Sequence, residues 1–257
     1  MLFFRANDGT SGKELWKSDG SAAGTMLVKD INQGSPNSNP GSLTEFNGSL
    51  FLAANDGTHG GELWTSDGTT AGTVLVKEII MGGAGSFVYE TINFGGPLFF
   101  AVNDGTSGIE LWKSNGTAAG TVLVKDINPG SDTSFPNYFT LFDNALFLIA
   151  TSAANGNELW KTDGTMAGTV LVKDINPNSD NSFPADLINV DGTLYFSADD
   201  GTSGVELWKS DGTAIGTEIV DDVNSGGDDA RPRNLTNVDG ALFSVRRTAC
   251  TVRSCGC

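Results

Sequence analysis

The chain has 257 residues, a formal net charge of −16 and a single histidine. An acidic balance argues against nucleic-acid binding, which relies on Lys and Arg to neutralise phosphates. One imidazole, His59, makes a Ser-His-Asp triad, a Cys-His pair or a multi-histidine metal site hard to build, because each needs a placed imidazole.

The first residues, Met1 to Ala6, show no basic segment followed by a long apolar run, so the pattern of a signal peptide is missing and the start resembles mid-domain sequence. The longest apolar run, Ala145 to Ala150, is of strand length, well below the roughly 18 residues of a membrane span. We therefore expect no membrane insertion.

A 48-residue repeat organises the chain. The tripeptide Glu-Leu-Trp recurs at Glu14, Glu62, Glu110, Glu158 and Glu206. A Leu-Phe or Leu-Tyr pair recurs with the same period at Leu2, Leu50, Leu98, Leu146, Leu194 and Leu242. The sequence thus contains five full repeats and the start of a sixth.

Each repeat reads as four short strands. In the last full repeat the apolar runs are 187–190, 194–198, 206–209 and 217–220. The first two strands are joined by two-residue turns that favour type I′ hairpins, namely Asn47-Gly48, Gly95-Gly96, Asp143-Asn144, Asp191-Gly192 and Asp239-Gly240. Each repeat is therefore predicted to be an up-and-down antiparallel meander.

Such a meander cannot bury both of its faces alone, but copies stacked around an axis can. We predict an all-β fold, a five-bladed β-propeller of four-stranded blades over residues 1–245, followed by a basic tail at 246–257. Residues 234–238 would close the ring beside the N-terminal strand. Residues 242–245 then repeat the strand already supplied by residues 2–5, so an open array or solenoid of the same units is the alternative.

The residues Glu206-Leu207-Trp208-Lys209-Ser210-Asp211-Gly212-Thr213, followed by Gly216-Thr217, resemble the bacterial ELWxxDGT repeat. The resemblance covers residues 1 to about 245, with Asn115 in place of the motif Asp and Ser21 in place of Thr. It implies a secreted or surface-associated bacterial repeat protein of propeller type. It implies no particular chemistry.

Near-identical repeats place the same groups several times, which suits multivalent binding better than a lone catalytic centre. Sugar rings could stack on the tryptophans, or these could fill the gaps between blades: Trp16, Trp64, Trp112, Trp160 and Trp208. The Asn-Asp-Gly-Thr loops could bind ligands, or cap their own turns, through Asn7, Asp8, Asn55, Asp56, Asn103, Asp104, Asp199 and Asp200. The fourth repeat has Thr151-Ser152 in place of this pair.

No cofactor is expected. Calcium is the alternative, but the Ser-Asp-Gly-Thr turns offer one carboxylate each and an EF-hand spacing is missing. Three cysteines, Cys250, Cys255 and Cys257, all lie in the tail, where they offer no fourth metal ligand. We assign no catalytic and no metal-binding residue.

Charge is unevenly distributed, because residues 231–257 hold one acid, Asp239, and five arginines: Arg231, Arg233, Arg246, Arg247 and Arg253. A basic end on an acidic body favours contact between copies.

Three functions remain open. We favour a non-enzymatic, extracellular or cell-surface module of lectin type that binds glycans or similar polar ligands. The alternatives are a self-assembling structural or adhesion module and a glycoside hydrolase with paired carboxylates.

Overall fold

The computed structural model describes residues 1–223 and 226–245, which form 21 β-strands and no helix. The predicted tail at 246–257, with its cysteines and three of the arginines, lies outside the described residues. The strands are β1 (Leu2–Asn7), β2 (Lys13–Ser18), β3 (Met26–Lys29), β4 (Gly41–Phe46), β5 (Ser49–Asn55), β6 (Gly61–Ser66), β7 (Val74–Lys77), β8 (Tyr89–Asn93), β9 (Leu98–Asn103), β10 (Ile109–Ser114), β11 (Val122–Lys125), β12 (Asn137–Phe142), β13 (Ala145–Ser152), β14 (Gly156–Thr162), β15 (Val170–Lys173), β16 (Ala185–Val190), β17 (Thr193–Asp199), β18 (Val205–Ser210), β19 (Glu218–Asp221), β20 (Arg233–Val238) and β21 (Ala241–Val245).

Consecutive strands pair antiparallel, so the predicted all-β meander is confirmed. The described chain divides into two compact units. The first, Met1–Phe135, contains the sheets β1-β2-β3, β4-β5-β6-β7 and β8-β9-β10-β11. The second begins at Pro136 and contains the sheets β12-β13-β14-β15, β16-β17-β18-β19 and β20-β21.

The two-residue hairpin turns adopt the predicted conformation. Both central residues have positive φ in all five turns, as in Asn47 (51°) and Gly48 (78°), or Asp143 (45°) and Asn144 (56°). A type I′ turn requires this geometry because its twist matches that of the flanking strands. The turn sequence therefore fixes the register of the first hairpin in each repeat.

The strand β20 has a different partner from the one expected. Residues 234–238 were predicted to pair with the N-terminal strand, but β20 forms its ladder with β21, from Arg233 opposite Val245 to Val238 opposite Ala241. The repeat of the N-terminal strand at 242–245 supplies this partner through the Asp239-Gly240 turn. The count of five blades stays a prediction.

Apolar side chains of neighbouring sheets form the cores. In the first unit, Leu15 and Val28 pack with Leu50, Leu52 and Trp64 of the next sheet. A second cluster of that unit places Leu63 and Val76 against Leu98, Phe100 and Trp112. In the second unit the same positions recur, with Leu159 and Val172 against Leu194, Phe196 and Trp208. Within each unit, neighbouring meanders thus bury apolar faces against each other, as the fold prediction requires.

The glutamate of Glu-Leu-Trp holds the segment that links one sheet to the next. Glu14 is fully buried and accepts hydrogen bonds from the N–H groups of Ile31 (2.9 Å) and Ser38 (2.7 Å) and from Ser38 Oγ (2.6 Å). The same bonds recur at Glu110 with Ile127 and Ser134. Burial raises the pKa of Glu110 to about 7, although its hydrogen bonds from Ser134 and Ile127 oppose that rise.

Within both units, lysines bond one sheet to the next. Lys29 Nζ donates to the carbonyl of Thr73 at 2.7 Å and lies 5.8 Å from the centre of the Trp64 ring. In the second unit Lys173 makes the equivalent bond to Thr217 (2.6 Å) and lies 5.6 Å from the Trp208 ring. The Asp-Gly-Thr turn thus presents its carbonyls to the preceding sheet.

Candidate binding clefts

The Asn-Asp-Gly-Thr loops use their polar side chains to hold their own turns. Asn55 Oδ1 accepts from Gly57 N at 2.7 Å, and Asp56 Oδ1 accepts from Thr58 N and His59 N, both at 2.9 Å. The same pattern is found in the other Asn-Asp or Asp-Asp loops, at Asn7, Asp8, Asn103, Asp104, Asp199 and Asp200. One oxygen of each loop aspartate is therefore committed to the backbone.

These contacts favour the ionised form of Asp8 and of Asp56. Hydrogen bonds from Ser11 N and Thr10 N lower the pKa of Asp8 to about 2. Burial acts to raise the pKa of Asp56, but the bonds from the backbone and ring of His59 and from Thr58 N outweigh it, and the net shift is downward. His59 Nδ1 lies 2.6 Å from Asp56 Oδ2, and this hydrogen bond raises the pKa of His59.

Four of the five tryptophans are buried, and Trp64, Trp112 and Trp208 lie in cores between sheets. Trp64, Trp112, Trp160 and Trp208 are only 5–8% exposed, whereas Trp16 is half-buried. The indole N–H of Trp208 donates to the carbonyl of Ala198 in its own sheet. Ring faces covered by neighbouring side chains cannot stack on a pyranose. The expectation of sugar stacking therefore does not hold at these four tryptophans, and their role is packing.

One cleft brings two of the predicted site residues together. It has a volume of about 500 Å³ and lies in the first unit, where the loop Asp56-Gly57-Thr58 faces the segment 29–33 of the preceding sheet. Trp64 lines it as well. The sequence analysis found Asp56 and Trp64 but missed Lys29, Asp30 and Gln33, although the first two recur with the same 48-residue period.

Within the described part of the chain, one oxygen of the Asp30 carboxylate is buried without a hydrogen-bond donor. Its Oδ2 accepts from Gly34 N at 3.0 Å, while its Oδ1 is buried and has no hydrogen-bond partner among the described residues. Asp174 Oδ1 in the second unit is likewise buried and unpaired. A buried carboxylate oxygen without a donor is costly.

The same two segments approach each other in both units. A Cβ atom placed on Gly57 would lie 2.7 Å from Asn32 Oδ1, and one placed on Gly201 would lie 2.6 Å from Asn176 Oδ1. Glycine is required because the amide of one sheet meets the loop backbone of the next. The glycines of all four loops, Gly9, Gly57, Gly105 and Gly201, also have positive φ, which glycine adopts without a steric cost.

The Ser-Asp-Gly-Thr turns are self-contained. Asp67 Oδ1 accepts from Thr69 N (2.8 Å) and Thr69 Oγ1 (2.7 Å), and Thr73 Oγ1 bonds Ser66 Oγ at 2.7 Å. Over residues 1–223 and 226–245, no group of three or more His, Cys, Asp or Glu side chains is placed to hold a metal ion. None of the described segments is a hydrophobic helix of membrane-spanning length.

These stacked four-stranded meanders define a propeller-like all-β fold, and solved structures share it. Prolyl endopeptidases match at 11% identity and a TM-score of 0.50, over 84% of this chain and 32% of theirs. Puromycin hydrolase matches at 15% identity and a TM-score of 0.49, over 91% of this chain and 37% of its own. TolB from Acinetobacter baumannii matches at 13% identity and a TM-score of 0.44, over 82% of this chain and 49% of its own.

The chain spans about a third of the length of the hydrolases that it resembles, and the peptidases match through their β-propeller domain. At such low identity the likeness concerns the fold alone. No protein-family profile matches the chain, and no curated protein matches it.

Proposed function

We propose that the chain is a non-enzymatic recognition module that binds glycans or similar polar ligands in clefts between neighbouring sheets. The supporting observation is the cleft in which the Asp56 loop, Trp64 and the segment 29–33 converge. Its lining combines an ammonium group, two carboxylates, amides and a hydroxyl. Such a set matches the hydroxyl groups of a saccharide, which both donate and accept hydrogen bonds.

Recurrence of the segments favours several weak sites over one strong site. In the second unit Asn176 of one sheet meets Gly201 in the Asp200-Gly201-Thr202 loop of the next, as Asn32 meets Gly57 in the Asp56 loop. Linked sites of modest affinity gain avidity when a ligand repeats with a similar spacing. A polysaccharide or a glycan-coated surface fits this arrangement.

Within this proposal the binding takes place outside a bacterial cell or at its surface, which is what the ELWxxDGT resemblance implies. In place of a catalytic centre, the chain offers loop carboxylates that are ionised and tied to their own backbone, with the pKa of Asp8 and of Asp56 below its ordinary value. A general acid for glycoside hydrolysis needs a carboxyl with a raised pKa in an open cleft. The buried glutamates have the raised pKa but are covered by the linker segments.

Binding to a glycan array, followed by calorimetric titration of the ligands found, with and without calcium, tests this function. The double variant Gln33→Ala/Thr58→Ala removes two side chains of the cleft and should weaken binding about tenfold. Thr10→Ala alters the equivalent loop of the first repeat, outside this cleft, and serves as the matched control. Absence of binding to any saccharide, or equal weakening by Thr10→Ala, would contradict the proposal.

Self-assembly is a second candidate function. The terminal hairpin β20-β21 leaves apolar side chains on its surface, with Phe243 57% and Val245 66% exposed. A short sheet with an accessible edge can add a strand from another copy. Light scattering of the full chain should then show dimers or larger species that Val245→Pro reduces. A monodisperse monomer would exclude this function.

A further inference from the structure

Two residues near the start of the first strand of each repeat adopt left-handed backbone conformations. In the repeat of β16 these are Phe183 (φ 46°) and Asp186 (φ 56°), and the preceding repeat has Phe135 (47°) and Tyr138 (54°) at the same positions. Bulky residues rarely adopt positive φ, because the Cβ atom meets the backbone. The β16-β17 ladder also shifts its register between Ala185 and Ile188. A bulge of this kind re-aims the side chains at a strand end.

The left-handed positions hold side chains of different chemistry from one repeat to another. The residues at the bulge are Ser42, Glu90, Tyr138, Asp186 and Asn234, and those three positions earlier are Asn39, Phe87, Phe135, Phe183 and Arg231. The Glu-Leu-Trp motif, by contrast, is the same in all five repeats. Specific recognition needs an asymmetric set of groups, and the chain supplies one here.

In the second unit these side chains line a cavity of about 360 Å³. Its lining includes Tyr138, Phe183, Asp186, Arg231 and Arg233. Phe183 is 64% exposed and Tyr138 49% exposed, so both aromatic rings are accessible. The rings therefore offer the open faces that the buried tryptophans lack.

The charged groups of the cavity are partly unpaired. Arg231 is held by Asp229, whose Oδ2 lies 2.6 Å from both its Nε and its Nη2. No described residue forms a hydrogen bond or ion pair with the side chain of Asp186 or of Arg233. One guanidinium and one carboxylate are thus available to a ligand beside two open aromatic faces.

We infer that this cavity binds an acidic saccharide residue, a pyranose that carries a carboxylate. Arg233 would pair with the ligand carboxylate, Asp186 would accept from ring hydroxyls, and Phe183 or Tyr138 would cover the C–H face of the sugar. A simple anion would leave Asp186 and both rings without a role, whereas a neutral sugar would leave Arg233 without one. This inference rests on the proposed glycan-binding function and assigns it a ligand class and a second site.

The test is calorimetric titration of the full chain with trigalacturonate and with its fully methyl-esterified form. We expect trigalacturonate to bind at least tenfold more tightly than the ester, because a guanidinium–carboxylate contact is charge-assisted. Arg233→Gln should remove this preference. Lys209→Gln makes the same charge change on β18, where Lys209 pairs with Glu218 at 3.0 Å, and should preserve the preference. Phe183→Ala should weaken both ligands.

Equal binding of the acid and the ester, loss of the preference in Lys209→Gln, or no binding of either ligand would overturn the inference. Urea denaturation of each variant checks that the fold is intact. If the acidic saccharide does not bind as expected, the cleft at Asp56 is still tested by neutral glycans and by the Gln33→Ala/Thr58→Ala variant. The two proposals can therefore fail separately.

Discussion

Truncation of a buried glutamate should destabilise the sheet that it ties to its linker. Glu158 is fully buried and accepts hydrogen bonds from Ser182 Oγ (2.6 Å), Ser182 N (3.1 Å), Ile175 N (3.1 Å) and Asn176 N (3.3 Å). Glu158→Ala removes this acceptor and leaves the donors facing a cavity. The prediction concerns the free energy of unfolding of the second unit.

The magnitude follows from which donors lose every partner. Ser182 N and Oγ keep the carbonyl of Asn157 as a second acceptor, at 3.2 and 3.3 Å. The N–H groups of Ile175 and Asn176 have no such alternative in view, and each orphaned buried donor costs about 1–3 kcal/mol. The variant also no longer buries a carboxylate, which offsets part of this cost. We therefore expect the free energy of unfolding to fall by about 3 kcal/mol, a large share of the roughly 5–15 kcal/mol of a typical domain.

Urea denaturation followed by tryptophan fluorescence measures this loss. Glu206→Ala is the comparison variant, because Ala230 stands there in place of the serine and, among the described residues, Glu206 accepts from Val223 N (3.3 Å) and Ala230 N (3.0 Å). It should lose less, about 2 kcal/mol, because it leaves two N–H groups without an acceptor, as Glu158→Ala does, but breaks no bond from a serine hydroxyl. A loss below 1 kcal/mol for Glu158→Ala, or a loss for Glu206→Ala that exceeds the loss for Glu158→Ala, would refute the reasoning.

Three further predictions follow from the same contacts. Burial raises the pKa of Glu110 and of Glu158 from 4.5 to about 7, so folding favours the protonated form of both side chains. The free energy of unfolding should therefore fall by up to about 3 kcal/mol for each glutamate as the pH rises from 4.5 through 7. Urea midpoints that do not fall across this range, or that fall as steeply in Glu110→Gln, would contradict this prediction. A Cβ atom on Gly72 would lie 2.1 Å from Asp67 Cγ, so Gly72→Ala should cost about 2 kcal/mol in thermal unfolding, and less in an Asp67→Gly background. Lys173→Met removes the anchoring ammonium and should lower stability by about 1–2 kcal/mol by urea titration, with no change as the contrary outcome.

The sequence pattern predicted the strands well because the information is local. The runs 187–190 and 194–198 correspond to β16 (Ala185–Val190) and β17 (Thr193–Asp199), each within two residues. Turn chemistry such as Asp191-Gly192 determines the conformation without help from distant residues. The period of 48 residues then predicted that the sheets repeat and stack.

Longer-range features could not be predicted in this way. The tryptophan motif fits either an exposed platform or an inter-sheet filler, and only the burial of Trp208 against the neighbouring sheet decides between them. The pairing of β20 with β21 depends on a choice between two equivalent strands. The left-handed conformation of Phe183 carries no local signal, because phenylalanine has no preference for positive φ.

The join between sheets has a consequence for how such chains grow. A lysine of one sheet reaches the next sheet, as Lys29 does toward Thr73, and the segment that contains Thr73 also contains Lys77, which in turn reaches Thr121. One 48-residue segment therefore encodes both the lysine that donates and the threonine carbonyl that accepts. Duplication of that segment in a gene therefore adds a module whose two joining surfaces already match, so the array can lengthen or shorten without the evolution of a new contact.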